Sequence, residues 1–307
     1  MKPEIIKIND SVTLSTVSTD KFKVDTLSVL FSVPLDRERA PIYTLLLSVL
    51  KRGTVKFPTQ GSINERLDDL YATSIALKNR RLGDNQLLGF SAEMLDNAYV
   101  FDGTDVLDGT LEVISEMLFK PLRNADGDFT EKYVESEKQN LCDIIISAVN
   151  DPRSYSMGRC REIMYENEPY GASLYGTVEG VASITGAELA SAYRELLENA
   201  HIYISYVGHA NAEEIRKAVE KYFGGFSSSS ADISDTHIFA ADGSVKVYRV
   251  NYDGSEKLVT NEAKLIVIGG DVTFSGGKIT GNGTFAFSYS TKVGDYTYEI
   301  CSMSIKK

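Results

Sequence analysis

The chain has 307 residues, 43% of them hydrophobic and 24% charged, which is enough for two parts with cores of their own and too apolar for intrinsic disorder. The net charge of −11 repels a polyanion and no local basic patch offsets it, so no nucleic-acid surface is expected. No apolar run approaches the ~20 residues that span a bilayer, and the opening MKPEIIKINDSV lacks the apolar stretch of a secretory signal, so the expectation is a soluble cytoplasmic protein with no membrane partner.

Residues 25–34 (DTLSVLFSVP) alternate as a strand does, with Leu27, Val29, Phe31 and Val33 on one side. After the charged residues 36–39, Pro41 suits the first position of a helix and Gly53 its stop. In that helix Ile42, Leu45, Leu46, Val49 and Leu50 form a core stripe, while Thr44, Leu47, Ser48 and Lys51 share a second face. A second helix is predicted over about 62–71, then two β runs over about 73–81 and 86–94, joined as a hairpin through residues 82–85. Further helices are predicted over about 105–119 and 128–149, the latter stopped at Asn150-Asp151-Pro152, because the residue before proline leaves helical geometry. Thr185 and Glu188 make a T-x-x-E capping box that opens a helix to about residue 198. A strand over 201–207 and a helix over 211–223, ended by Gly224-Gly225, complete the region. The sum is an α+β fold, helices packed on a mostly antiparallel sheet.

Four serines at 227–230 open a stretch to residue 235 that reads as a linker between a domain at 1–226 and a β-rich region at 236–307. The latter is rich in Thr, Ser, Tyr, Phe, Val and Ile, with turn signals at Asp253-Gly254, Gly269-Gly270, Gly276-Gly277, Asn282-Gly283 and Gly294-Asp295, so a small antiparallel β module is predicted. From residue 231 onward 8 Lys and Arg meet 9 Asp and Glu, so nearly all of the acidity belongs to the first domain.

Catalytic constellations are scarce. Cys142, Cys160 and Cys301 form no CxxC pair and read as reduced, buried thiols. The three histidines, His201, His209 and His237, all follow residue 200; the first two are eight residues apart with no paired carboxylate nearby in sequence, and read as structural. The acidic residues of the 128–149 helix read as a solvated face. The glycine pairs of the tail precede no helix and make no phosphate cradle.

Several short stretches fall in a telling order. A helix ends in Lys51-Arg52-Gly53-Thr54 and is followed by a second helix and a hairpin; then come Glu168-Pro169-Tyr170-Gly171, Leu174-Tyr175-Gly176-Thr177 and Ile184-Thr185, and finally Ile204 to Gly208 and Ala212 to Phe226. Over residues 1–226 this order resembles the pitrilysin/insulinase-like metallopeptidases, and within them the catalytically inactive bacterial paralogue associated with elongation factor P modification. The family's zinc helix carries H-x-x-E-H. Counted back from Gly53-Thr54, its His, Glu and His positions hold Thr44, Leu47 and Ser48, and the third-ligand position, seven residues after Glu137, holds Ile144. Zinc requires imidazole nitrogens and a carboxylate to activate its water. The resemblance therefore implies no metal, no cofactor and no peptidase activity by this chain alone.

Members of the family work as clamshells of homologous halves, and degenerate copies pair with active ones. The implied partners are an active H-x-x-E-H paralogue in a hetero-oligomer and a peptide or protein substrate. Residues 86–94 match the family's peptide-binding edge in position, so Leu87, Leu88, Gly89, Phe90 and Ser91 are expected to hold an extended peptide by β-augmentation. The second homologous half is not recognisable after residue 230. A different reading makes the chain a stand-alone binding or scaffold protein whose C-terminal β module recruits a ligand or partner.

Overall fold

The computed structural model describes residues 3–166 and 168–229 in full, and residues 236–241, 244–250, 256–275, 278–293 and 296–304 as strand backbone. Residues 1–230 and 231–307 are separate compact units.

The first unit is laid out on six strands: β1 (Glu4–Asn9), β2 (Val12–Ser18), β3 (Val24–Pro34), β4 (Ser74–Leu82), β5 (Asn85–Leu95) and β6 (His201–Gly208). Their order in the sheet is β1-β2-β6-β3-β5-β4, and every neighbouring pair is antiparallel except β2 with β6. The long return of the chain to β6 lets a late strand enter between β2 and β3. Leu14, Leu27, Val29, Phe31, Phe90, Ile202 and Ile204 join one core with the helices. Each such fully buried side chain stabilises the fold by roughly 2 kcal/mol before entropy is counted.

Among the described residues eight α-helices accompany the sheet: α1 (Arg39–Leu50), α2 (Gln60–Asp69), α3 (Val106–Phe119), α4 (Glu131–Ser147), α5 (Pro152–Met164), α6 (Val178–Ser183), α7 (Gly186–Asn199) and α8 (Ala212–Phe223). Reciprocal capping boxes, Thr185 with Glu188 and Asn211 with Glu214, fix the starts of α7 and α8. Helix α1 starts two residues earlier than Pro41 predicts, because the Asp36 carboxylate accepts from the Glu38 and Arg39 N–H groups. Pro41 still lies in the first turn, where its missing N–H costs nothing.

Both faces of α1 are covered: Leu47 is 1% exposed and Thr44 is buried, because α4, α6, α7, β4 and β5 all pack against this helix. Three sequence expectations are corrected. The Asp151-Pro152 step does not merely stop α4; Asp151 accepts from the Ser154 N–H and caps α5, which has no buried residue and hence no apolar stripe to betray it. The serine stretch is partly stitched to the first unit, since the Ser228 N–H donates to Ser11 Oγ at 2.9 Å and the Ser229 N–H to the Glu198 carbonyl at 2.7 Å. Cys160 is exposed and Cys142 half-buried, so neither is a fully buried thiol.

The second unit is a meander of β7 (Thr236–Ala241), β8 (Ser244–Val250), β9 (Glu256–Ser275), β10 (Lys278–Val293) and β11 (Tyr296–Ser304), in the order β11-β10-β9-β8-β7 and antiparallel throughout. Gly269-Gly270 and Asn282-Gly283 are not turns: they face each other inside β9 and β10, beside a register shift at Thr284/Phe285. The remaining three turn signals lie outside the described residues, as do the side chains of His237 and Cys301.

Candidate functional site

Helix α1 carries the positions that in the resemblance hold the zinc motif. The Thr44 hydroxyl donates to the Leu174 carbonyl and accepts from Asn79 Nδ2 at 2.7 Å. Asn79 in turn accepts from Gln86 Nε2 at 2.9 Å, so α1, β4, β5 and the segment before α6 are cross-linked by one buried polar chain. Leu47 is core, Ser48 half-buried, and Ile144 is 51% exposed near the end of α4. Below them the Arg52 guanidinium meets Glu137 and also donates to Gln60 Oε1 and Ser136 Oγ, both at 3.2 Å. Lys51 donates to the Ile75 carbonyl at 2.8 Å, and burial lowers its pKa. These residues do not fit a zinc ion: one hydroxyl already engaged, a hydroxymethyl and two hydrocarbon side chains replace two imidazoles and two carboxylates. Among the described residues no group of three His, Cys, Asp or Glu is arranged to hold a metal.

The expected peptide-binding residues lie elsewhere than at an edge. Strand β5 pairs with β3 on one side and β4 on the other, and Leu87, Leu88, Phe90 and Ser91 are all 9% exposed or less. Gly89 sits so close to β3 that a Cβ there would meet the Val29 carbonyl oxygen at 2.1 Å. The free edge of this hairpin is β4, whose Ser74, Ala76, Lys78, Arg80 and Leu82 are exposed on one face. The expectation that residues 87–91 form an edge is corrected: which strand of the hairpin is outermost depends on β3 pairing with β5, far apart in the chain.

The histidines divide. His201 is 1% exposed and its Nε2 lies 2.9 Å from Thr13 Oγ1, a structural residue as expected. His209 does have a carboxylate partner: its Nδ1 is 3.0 Å from Asp96 Oδ2, and its backbone N–H donates to Asp25 Oδ1 at 3.2 Å. Asp25 also accepts from the Tyr206 hydroxyl at 2.6 Å. Asp96 raises the His209 pKa, while burial raises those of Asp25 and Tyr206. A cavity of about 360 Å³ opens beside this cluster. The Tyr206 hydroxyl that lines it is committed to Asp25, so the cluster ties together the ends of β3, β5 and β6.

No protein-family model matches the chain. In sequence it is 29% identical over 220 residues to the "probable inactive metalloprotease YmfF" of Bacillus subtilis, covering 72% of this chain and 51% of that protein. The chain is therefore similar to a probable inactive metalloprotease over those 220 residues. It superposes on a conserved protein from Enterococcus faecalis V583 with a TM-score of 0.67 and 26% identity, covering 74% of this chain and 52% of the other. An inactive peptidase M16 domain from Pseudomonas fluorescens shares the fold, with a TM-score of 0.58, 15% identity and coverage of 78% and 54%. The chain thus spans about half the length of the relatives it matches. The positions that in the resemblance hold the zinc ligands and the general base are occupied by Thr44, Leu47, Ser48 and Ile144. Among its described residues no helix is long and apolar enough to cross a membrane.

Proposed function

We propose that this chain is the non-catalytic subunit of a cytoplasmic pair whose active member carries H-x-x-E-H, and that it helps to enclose and present a peptide. The observation that carries the reading is the fate of α1. Its polar ligand position has become a structural hydrogen-bond junction, Thr44 with Leu174 and Asn79, so the peptidase architecture persists with its metal chemistry replaced by packing. Strand β4 is outermost in the sheet; among the described residues no strand pairs with its outer side, and apart from the Ile75 carbonyl, taken by Lys51, this edge is open to an extended peptide added as a further strand. The peptide-holding role expected for residues 87–91 passes to this neighbour, and those residues support it from within the sheet.

The test is affinity purification of the full chain from its native cytoplasm, with partners identified by mass spectrometry. Equimolar recovery of an H-x-x-E-H paralogue is expected; recovery of the chain with no peptidase relative would overturn the pairing. A second reading, a scaffold that recruits a ligand through its C-terminal β module, has one observation in its favour: residues 231–307 form a compact unit of their own. It predicts partners that disappear when that unit is removed.

A further inference from the structure

Strand β4 (SIALKNRRL) carries Lys78, Arg80 and Arg81 and no acidic residue, although it belongs to the unit that holds nearly all of the chain's excess negative charge. Lys78 and Arg80 are exposed, and among the described residues neither forms an ion pair. On the opposite face of the strand the Arg81 guanidinium spends two N–H groups on one acceptor, the Ala172 carbonyl, with Nε at 3.0 Å. Burial first and then the like charge of Arg161 lower the Arg81 pKa, while Glu162 acts in the opposite direction. The Nε–H of Arg161 is buried without an acceptor. Glu162 is itself shared with Arg159 at 2.5 Å. The solvent face of the edge therefore presents two cations with no carboxylate partner among the described residues, and on the other face three guanidinium groups share the field of Glu162.

Lysines on an edge strand also guard against edge-to-edge aggregation. That role accounts for Lys78 and Arg80 at the solvent face, but not for the buried, unmet Nε–H of Arg161. A second copy of this chain is a poor occupant, since two β4 edges would set like charges opposite one another.

Resting on the reading that the β4 edge receives a peptide, we propose that its occupant is an extended segment rich in Asp and Glu. The main chain of that segment pairs with β4, and its alternating side chains place carboxylates toward Lys78 and Arg80 on one face and toward the Arg81–Arg161 pair on the other.

Fluorescence anisotropy with the full chain tests this, using a labelled peptide of alternating Glu and Thr, its Lys and Thr counterpart, and the acidic peptide N-methylated at alternate residues. The acidic peptide is expected to bind, to weaken with added salt, and to bind about tenfold more weakly to the Lys78→Glu/Arg80→Glu variant. The N-methylated peptide, which cannot pair as a strand, is expected not to bind. Equal binding of the acidic and basic peptides, or no loss in the charge-reversed variant, overturns the acidic preference and leaves the edge reading standing. Undiminished binding of the N-methylated peptide overturns the edge reading itself, and failure of every peptide to bind overturns both. A single-stranded oligonucleotide that binds as tightly as the acidic peptide would make the strand a general anion surface, which also contradicts the proposal.

Discussion

Asn79 donates a side-chain N–H to the Thr44 hydroxyl across 2.7 Å, and through that bond the second β-strand hairpin is fastened to the helix that would otherwise carry a metal. The hydroxyl's own proton is shared between the Leu174 carbonyl and the Ala40 carbonyl one turn back, at 2.9 Å, so its donor and acceptor capacities are both used inside the fold. Replacement of Thr44 by Val keeps the shape and removes these bonds. Two buried polar groups then lose their partner, and the expected loss is about 1–3 kcal/mol in urea denaturation, with Thr44→Ser close to wild type. Equal stability of the valine variant would show that the junction does not hold α1.

Leu47 occupies the position of a general base and is 1% exposed. The cation one turn on along the same face, Lys51, already donates to the Ile75 carbonyl. Leu47→Glu is expected to destabilise by about 3 kcal/mol, through an unpaired buried acid in place of core packing. The measurement is chemical denaturation, near neutral pH and again at acid pH, where protonation of the new carboxyl should recover part of the loss.

Gly89 tests the position of β5. Because a Cβ would lie 2.1 Å from the Val29 carbonyl oxygen, Gly89→Ala must push two paired strands apart. About 3 kcal/mol is the expected cost, against a small change for Phe101→Ser, where the ring is 97% exposed. A harmless Gly89→Ala would mean that β5 does not lie against β3.

The carboxylates around His209 give a pH dependence with a definite sign. Asp96 first, with Asp25 and Asp20 adding to it, raises the His209 pKa above its ordinary 6.5. Its contribution is therefore fully present below the unfolded value and is lost as pH rises through the folded value. Asp25, raised by burial from 3.8, acts in the same direction at lower pH. Thermal melts between about pH 5.5 and 8.5 should fall with rising pH in the wild type and flatten in His209→Asn. An unchanged slope in the variant would remove His209 from the account.

Local signals carried much of the fold. The alternation of residues 25–34, the Thr185–Glu188 box and the Gly224-Gly225 stop each act within a few residues, and β3, α7 and α8 fall where they place them. Helix α5 escaped because it buries nothing and so leaves no periodic trace, and its proline opens a helix as readily as it closes one. The edge was misassigned for a non-local reason: β5 is interior because β3 and β4 both pair with it, and no residue of β5 encodes that order. The partner of His209 was hidden in the same way, since Asp96 stands 113 residues earlier in the chain. The identities of Thr44, Leu47 and Ser48, at the positions where the resemblance places a zinc motif, are legible from the sequence alone.

The most direct test of the central claim is the zinc content of the purified full chain after equilibration with one equivalent of zinc and gel filtration, read together with hydrolysis of an unstructured peptide. With no imidazole or carboxylate at positions 44, 47, 48 and 144, the chain should retain no stoichiometric zinc and cleave nothing, with or without chelator. One tightly held zinc per chain with chelator-sensitive cleavage would contradict the account.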